Sequence, residues 1–467
     1  MTVVENQEVT DCGCFLSVWL WFNKLMKKLM FKVVDTANSA KKLGKEDPRR
    51  IVHSLKVGFA ITLVSLFYYF EPKFHYEGFG VSAMWAVLTV VVVFEFTVGA
   101  TLGRAINRGI ATFLGAAVAG GVHRLACFSG SSTLEPIVLG IFLFSIAAIV
   151  TYLRFLPKLK ARYDYGVLIF ILTFSLVSVS GYHDKQVLEI AHTRLSTILI
   201  GCATAFVVCI FICPVWAGEE LHNKISSNLE KLGSFLEVFG TEYLNTACGT
   251  ASEQKASDLQ GYKSVLNSKS TEEVLANFAK WEPRHGKFRY RHPWAQYLEI
   301  GGIARDCAYR IHALNAYLNS ETQNIGQEVR TRIQEPCMKV STECGHVLKE
   351  LASAMKTMTY PLTITVHIDN AKLAAENLKS LLQTNSSWEE MNFSDIIPIA
   401  TVASLLIDIV SYTIKMVESF DQLATLARFK KTNRFAPVRA RTGSWKRKRV
   451  MPEQSTENVH HHVTAAE

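Results

Sequence analysis

Between residues 51 and 213 the chain repeats one pattern six times: a run of apolar positions, then a short polar break. The runs fall at 51–70, 80–98, 104–123, 134–153, 164–181 and 190–213. Each is long enough to carry a helix across a hydrocarbon core of about 30 Å. After Pro214 the pattern changes. Apolar residues recur at helical spacing against polar faces over 217–247, 294–319, 324–356, 366–384 and 393–429, and the alternation of strands is scarce. Ahead of the first run, residues 15–34 set Trp19, Trp21, Phe22 and Phe31 against Lys24, Lys27, Lys28 and Lys32. That stretch predicts an amphipathic helix, suited to lying on a membrane surface or to packing on the soluble helices. The expected fold is an all-α membrane protein with six transmembrane helices and a helical cytosolic C-terminal domain. Its parts are a cytosolic segment over 1–50, a membrane domain over 51–213, the cytosolic helices over 214–427 and a basic, disordered tail over 428–467. The segment PVWAGEE joins membrane to cytosolic domain. Ten Lys or Arg between 428 and 449 suit the tail to anionic lipid.

Charge orients this arrangement. The chain has 467 residues, 49% of them hydrophobic, and a net charge of +9. Its positive mean hydropathy points to membrane insertion. Nine Lys or Arg in residues 1–50 join Arg104, Arg108, Arg154, Lys158, Lys160 and Arg162 on one side, against Lys73, Arg124 and Lys185 on the other. The positive-inside rule then puts both termini in the cytosol and accounts for the basic balance without nucleic acid. No cleavable signal peptide is expected, because lysines interrupt the N-terminal apolar stretch. Ten cysteines show neither zinc nor disulfide spacing and read as reduced thiols, Cys202, Cys209 and Cys213 inside the last run, with Cys12 and Cys14 candidates for acylation. Asn385 and Asn392 stand in glycosylation sequons but fall on the cytosolic side, and His460–His462 belong to the tail. No nucleophile–base set, GxSxG or HExxH occurs, so an enzyme, a cofactor and a metal site are not expected.

The informative oddity is cationic. Lys56 lies five residues into the first run; Arg108 lies one turn beyond Arg104 on the same helix face; Arg124 and Arg194 fall on the side where few cations belong. A charge at the bilayer centre costs roughly 2.5–3.5 kcal/mol on insertion scales. Snorkelling explains Arg104, Arg154 and Arg162 equally well, since they sit at run ends. Glu95 is the one deep acid, a counter-ion for one of these residues or, less simply, a proton relay. One carboxylate cannot neutralise the set, so the remainder call for water or a mobile anion. A wet path lined by Lys56, Arg108, Arg124 and Arg194, with Arg154 and Arg162 at its inner mouth, selects anions. Trp85 and Phe94 are candidates to line it, or to pack in the core. Gly99, Gly103, Gly115, Gly120 and Gly121 suit close helix packing. Carboxylates at Glu71, Glu77, Glu135, Asp184 and Glu189 fall on the outer side without a spacing that singles out a metal site.

Six stretches together resemble the plant aluminium-activated malate transporter family, which includes the quick-activating anion channels of guard cells. They are EDPRRIVHSLKVG (46–58), MWAVLTVVVVFEFTVGATLGRAINRG (84–109), DYGVLIFILTFSL (164–176), RLSTILIG (194–201), FICPVWAGEELH (211–222) and WEPRHGKFRYRHPW (281–294). The likeness is strong over about 44–320; Arg104-Ala105 departs from a common lysine-glycine pair but keeps the charge. The resemblance implies a homodimer of six-span subunits that passes malate and inorganic anions down their gradient, in the plasma membrane or the vacuolar one. It implies that the cytosolic helices take part in gating and that Glu282, in the WEP stretch, is tied to transport. Read alone, that stretch is only a rigid, basic, aromatic loop. A distant likeness to bacterial efflux proteins leaves a proton-coupled exporter of organic acids or aromatic compounds as the alternative, with Glu95 carrying the proton.

Overall fold

The computed structural model describes residues 8–70, 79–128, 134–180, 187–242, 260–289, 291–321, 327–361, 363–383 and 393–431. Helix α1 (Glu8–Glu46) leads into seven helices of the apolar region and its exit: α2 (Arg49–Tyr69), α3 (Phe79–Val93), α4 (Val98–Cys127), α5 (Glu135–Leu153), α6 (Pro157–Ser180), α7 (Val187–Phe211) and α8 (Ala217–Glu242). The short α9 (Lys263–Leu266) and α10 (Lys269–Ala279) follow, then α11 (Trp294–Glu321), α12 (Gln327–Thr357), α13 (Ile364–Gln383) and α14 (Phe393–Ala427). Two-residue strands β1 (Thr359–Tyr360) and β2 (Lys430–Lys431) pair in parallel, so the chain is still ordered at the start of the expected tail. The rest of that tail, with His460–His462, lies outside the described residues, as do Glu71, Glu77, Asp184, Asn385 and Asn392.

Hydrocarbon offers no partner for a free amide or carbonyl, which is why the apolar runs are helices. Five described helices are long and apolar enough to cross a membrane: 98–127, 135–153, 162–180, 192–211 and 399–427. The expected count was six, drawn from a different set. Helix α2 carries Arg49, Arg50 and Lys56, and α3 has only 15 residues, so neither meets the measure. The segment 399–427 meets it within α14, whose apolar face is used elsewhere. Ile409, Met416 and Phe420 are buried in one core with Leu232 and Phe235 of α8 and Ile300 of α11.

The apolar region holds two smaller cores. One joins α2, α3 and α7 through Val64, Val90 and Ala205; the other joins α4, α5 and α6 through Val122, Leu139 and Phe174. Around them Phe113, Phe144, Ile149 and Phe211 point outward. Helix α5 buries only Leu139, the mark of a helix that faces lipid on most sides. Helix α1 leaves Trp19, Trp21, Phe22 and Phe31 exposed and is not packed on the soluble helices along that stretch.

The second and third runs meet differently from expectation. Helix α3 stops at Val93 and α4 begins at Val98, so Phe94–Thr97 is a corner and Glu95 is not deep in a span. Threonines make the turn: Thr97 caps α4 by accepting from the Ala100 amide at 3.3 Å, and the Thr101 hydroxyl accepts from the Glu95 amide at 3.0 Å. The first satisfies an amide that the start of α4 leaves open, and the second an amide within the corner itself. The run reads as continuous because the two phenylalanines mask the turn.

Among the glycines of α4, Gly115 alone packs helix on helix within the apolar region. A Cβ there would lie 3.0 Å from the Phe170 carbonyl oxygen and 3.1 Å from Thr173, whereas at Gly120 it would meet nothing within 4 Å. Gly115→Val is therefore expected to cost roughly 1–3 kcal/mol by overpacking α4 against α6. Gly120→Val should leave the melting temperature of the detergent-solubilised protein nearly unchanged, and the pair compared side by side checks the packing.

Candidate functional site

Four of the sequence stretches singled out above, 46–58, 84–109, 211–222 and 281–294, converge at one end of the apolar helices, around residues 213–218, where α7 hands over to α8. The Cys213 backbone has φ 43°, in the left-handed region, and its carbonyl accepts from Lys56 Nζ at 3.1 Å. Two residues on, the Val215 carbonyl accepts from the amide of Val98, the first residue of α4, at 2.9 Å. Glu282 then reaches the start of α8. Its Oε1 accepts from the Ala217 amide at 2.6 Å and its Oε2 from the Gly218 amide at 3.0 Å. Those amides are two of the four that a helix N-terminus leaves unpaired, and the helix dipole favours a carboxylate there. From the other side, Arg49 joins Asp47 of its own stretch to Glu220 of α8 at 2.7 Å.

Close packing holds this joint without slack. A Cβ on Gly218 would lie 2.5 Å from Trp294, and one on Gly99 would lie 2.4 Å from the Phe278 carbonyl oxygen. Gly103 faces Trp281 at 3.0 Å. The Gly99–Gly103 pair thus docks α4 on the loop 278–282 rather than on another apolar helix. Trp216 stacks on His285 with ring centres 3.8 Å apart and planes 6° from parallel. Behind the loop the Tyr297 hydroxyl lies 3.0 Å from His222 Nδ1 and 3.1 Å from His292 Nε2. Burial pushes both histidines down to about 4, so they are neutral hydrogen-bonding groups near pH 7.

The candidate cations divide by what they touch. Lys56 is buried and spent on the Cys213 carbonyl. Arg104 bonds Glu95 at 2.5 Å, which gives Glu95 its counter-ion, and lies over the Tyr165 ring. Arg154 is held by Asp164 through two bonds of 2.9 and 3.1 Å. Asp164 is a second acid that the tally of carboxylates missed, sitting at the start of its run two residues after Arg162. Arg162 lies 5.1 Å from the centre of the Trp281 ring and helps line a cavity of about 620 Å³ beside the loop, with Lys280, Arg289 and Arg291 on its walls. Arg194 sits 4.2 Å over Trp85, a cation–π contact at the opposite end of the bundle. Arg124 is exposed in the last turn of α4. Phe94 packs in the α2–α3–α7 core.

Arg108 is unlike the rest. It is 4% exposed, some 15 Å along α4 from its start at the rise of a helix. Its Nη1 donates to the neutral hydroxyl of Tyr165 at 3.2 Å, and its buried Nε has no hydrogen-bond partner. Tyr165 was not singled out in the sequence, since a tyrosine beside an apolar run carries no signal of its own.

Apolar helices with cations buried among them, joined by a rigid corner to a helical domain, define a multi-pass membrane transport protein. The chain belongs to the aluminium-activated malate transporter family, whose profile matches residues 41–388, and that family consists of transporters, not enzymes. It is 48% identical over 438 residues to aluminum-activated malate transporter 2 of Arabidopsis thaliana, covering 93% of this chain and 86% of the relative. It is 42% identical over 431 residues to aluminum-activated malate transporter 1 of Triticum aestivum, covering 90% and 91%. Aluminum-activated malate transporter 10 of Arabidopsis thaliana is 40% identical over 464 residues, covering 91% and 92%.

The buried carboxyl of Glu282 makes the joint sensitive to pH. Burial raises it from 4.5 to about 7, against the two helix amides that pull it down, and Glu219 adds to the rise. At this carboxyl folding takes up a proton between about pH 4.5 and 7, and its contribution to stability falls as pH rises through that window, by up to about 1.4 kcal/mol per unit. Glu282→Gln is expected to remove that component, so that the melting temperature of the variant rises more steeply with pH than that of the wild type between about pH 4.5 and 6.5, where His222 and His292 contribute in the opposite sense. His285 Nε2, 3.8 Å from Glu282 Oε2, is itself held down by burial and adds little charge there. An unchanged pH slope in Glu282→Gln would show that the carboxyl does not titrate in this range.

Proposed function

We propose that the chain is the subunit of a homodimeric, passive anion channel of a plant plasma membrane, conducting malate and small inorganic anions. In this reading α2 to α7 are the six spans, α14 stays in the cytosolic domain with the helices it packs on, and both termini are cytosolic. The exposed aromatic and basic face of α1 suits the inner leaflet. The observation that carries the reading is Arg108. A guanidinium buried among apolar helices with one neutral partner and one unpartnered N–H is costly unless an anion completes it. At an effective dielectric of about 20, an anion roughly 4 Å from it gains about 4 kcal/mol. Arg194 and Arg124 attract anions from the outer end, and the basic cavity beside Arg162 receives them at the inner end. The names of the relatives support malate as a cargo.

Lys56, Arg104 and Arg154 are structural in this reading, since each already holds an oxygen of the protein. A proton-coupled exporter is disfavoured by Glu95, whose pairing with Arg104 removes the free acid that coupling needs. The joint at 213–218 passes motion of the cytosolic helices to α4 and α7, which bear Arg108 and Arg194. Voltage clamp of cells expressing the protein tests the whole. The reversal potential should follow the malate equilibrium potential as malate is varied on one side, and ignore a proton gradient. Arg108→Gln should reduce the current by at least about tenfold at equal surface expression, the loss of 1.4 kcal/mol or more of attraction. Arg194→Gln should reduce it less. A reversal potential that tracks pH and not malate would overturn the proposal.

A further inference from the structure

At the end of the bundle away from the joint, three residues meet that no transport role above uses. His123 and Cys127 stand one turn apart on α4, and Glu135 opens α5. Cys127 Sγ lies 3.8 Å from Glu135 Oε1 and His123 Nδ1 lies 4.0 Å from the same oxygen. One ligating atom from each falls within 4.8 Å of the other two. Spacing along the chain shows no Cys/His ligand pattern here, because His123 and Cys127 supply only two ligands and the third comes from another helix.

We propose that His123, Cys127 and Glu135 form a site for a divalent transition-metal ion of the zinc class, with three protein ligands and one position open to solvent or an anion. Imidazole, thiolate and carboxylate are the ligands such ions take, and three of them with an open fourth position is a known tetrahedral arrangement. Bonds of about 2.0–2.3 Å separate tetrahedral ligand atoms by roughly 3.3–3.8 Å, so the atoms need to close by no more than about 1.5 Å. His123 Nδ1 is buried without a hydrogen-bond partner, as a nitrogen awaiting a ligand would be. The scaffold beneath is firm: Ala119, Val122 and Ala126 of α4 are buried with Leu139 of α5 in one core. Cys127 is exposed, which gives the metal an entry path and the open position an outlet. Coordination converts the Cys127 thiol to thiolate and releases its proton to solvent, so binding strengthens as pH rises. Sulfur and nitrogen ligands disfavour a hard trivalent ion, so the site is distinct in kind from one for aluminium. Bound metal would tie the outer end of α4, the helix of Arg108 and Arg124, to α5.

The test uses the full-length protein purified in lipid nanodiscs, freed of metal with a chelator, and probed with zinc chloride. Zinc is expected to slow maleimide alkylation of Cys127, followed on its own peptide by mass spectrometry, by roughly tenfold or more. His123→Ala and Glu135→Gln should each lose that protection while Cys127 still reacts, and aluminium chloride should protect in none of them. Equilibrium dialysis should find one zinc per chain in the wild type that is absent in Cys127→Ser. Alkylation that zinc leaves unchanged, protection that persists in both variants, or a Cys127 that does not react in metal-free protein would each overturn the site. These readouts need neither anion current nor an assigned orientation, so they stand or fall apart from the channel reading.

Discussion

The structure turns on a buried carboxylate at the head of a helix. Glu282 is 5% exposed, and moving a carboxylate out of water costs several kcal/mol. What offsets part of that cost is the geometry of the first turn of α8, where two open amides and the positive end of the helix dipole point at both oxygens. Neither side is satisfactory alone, since α8 would keep unpaired amides in a dry joint and the carboxyl would stay neutral. Glycine at 218 and at 99 is what lets the loop come near enough, because a methyl group at either place would overlap Trp294 or the Phe278 carbonyl. One ion–dipole contact therefore fixes where the soluble helices sit on the apolar ones.

From that contact the rest of the joint follows by backbone geometry. Holding Ala217 and Gly218 fixes the segment just before them, whose carbonyls at 213 and 215 take the Lys56 ammonium and the Val98 amide. Three helices of the apolar region are tied in this way within a few residues, α2 through its lysine, α4 through its first amide and α7 through its own end. Close packing means such a joint does not bend continuously; it holds one arrangement or changes to another. That gives the helical domain a mechanical route to the apolar helices that needs no separate linker.

Charge within the apolar region is allotted along the same lines. Cations near the joint are neutralised by acids or carbonyls, as Arg104 is by Glu95 and Arg154 by Asp164. Farther along the helices the partners become aromatic or neutral, Tyr165 for Arg108 and Trp85 for Arg194. A ring face or a phenol stabilises a guanidinium by a fraction of what a carboxylate gives and leaves its charge open to a passing anion. Strong pairing beside the joint and weak pairing farther along the helices is the division that the proposed conducting path requires.

How much of this was legible in the sequence depends on the range of the interaction. Helices whose signal is periodic came through with errors of a few residues, as α8, α11, α12 and α13 show, because one buried stripe suffices to define them. The corner at Phe94–Thr97 did not, since two phenylalanines hide it inside an apolar run and the threonines that close it act through their hydroxyls. The WEP stretch read only as a rigid basic loop, because its glutamate has meaning only beside amides 64 and 65 positions away. The cation count pointed to unmatched charge yet could not say which charge. Asp164 removes Arg154 and a backbone carbonyl removes Lys56, and both partners are invisible to a tally of acids within spans. Residue types along a chain state how much charge must be accommodated; only the packing of helices decides which residue is left without a full partner.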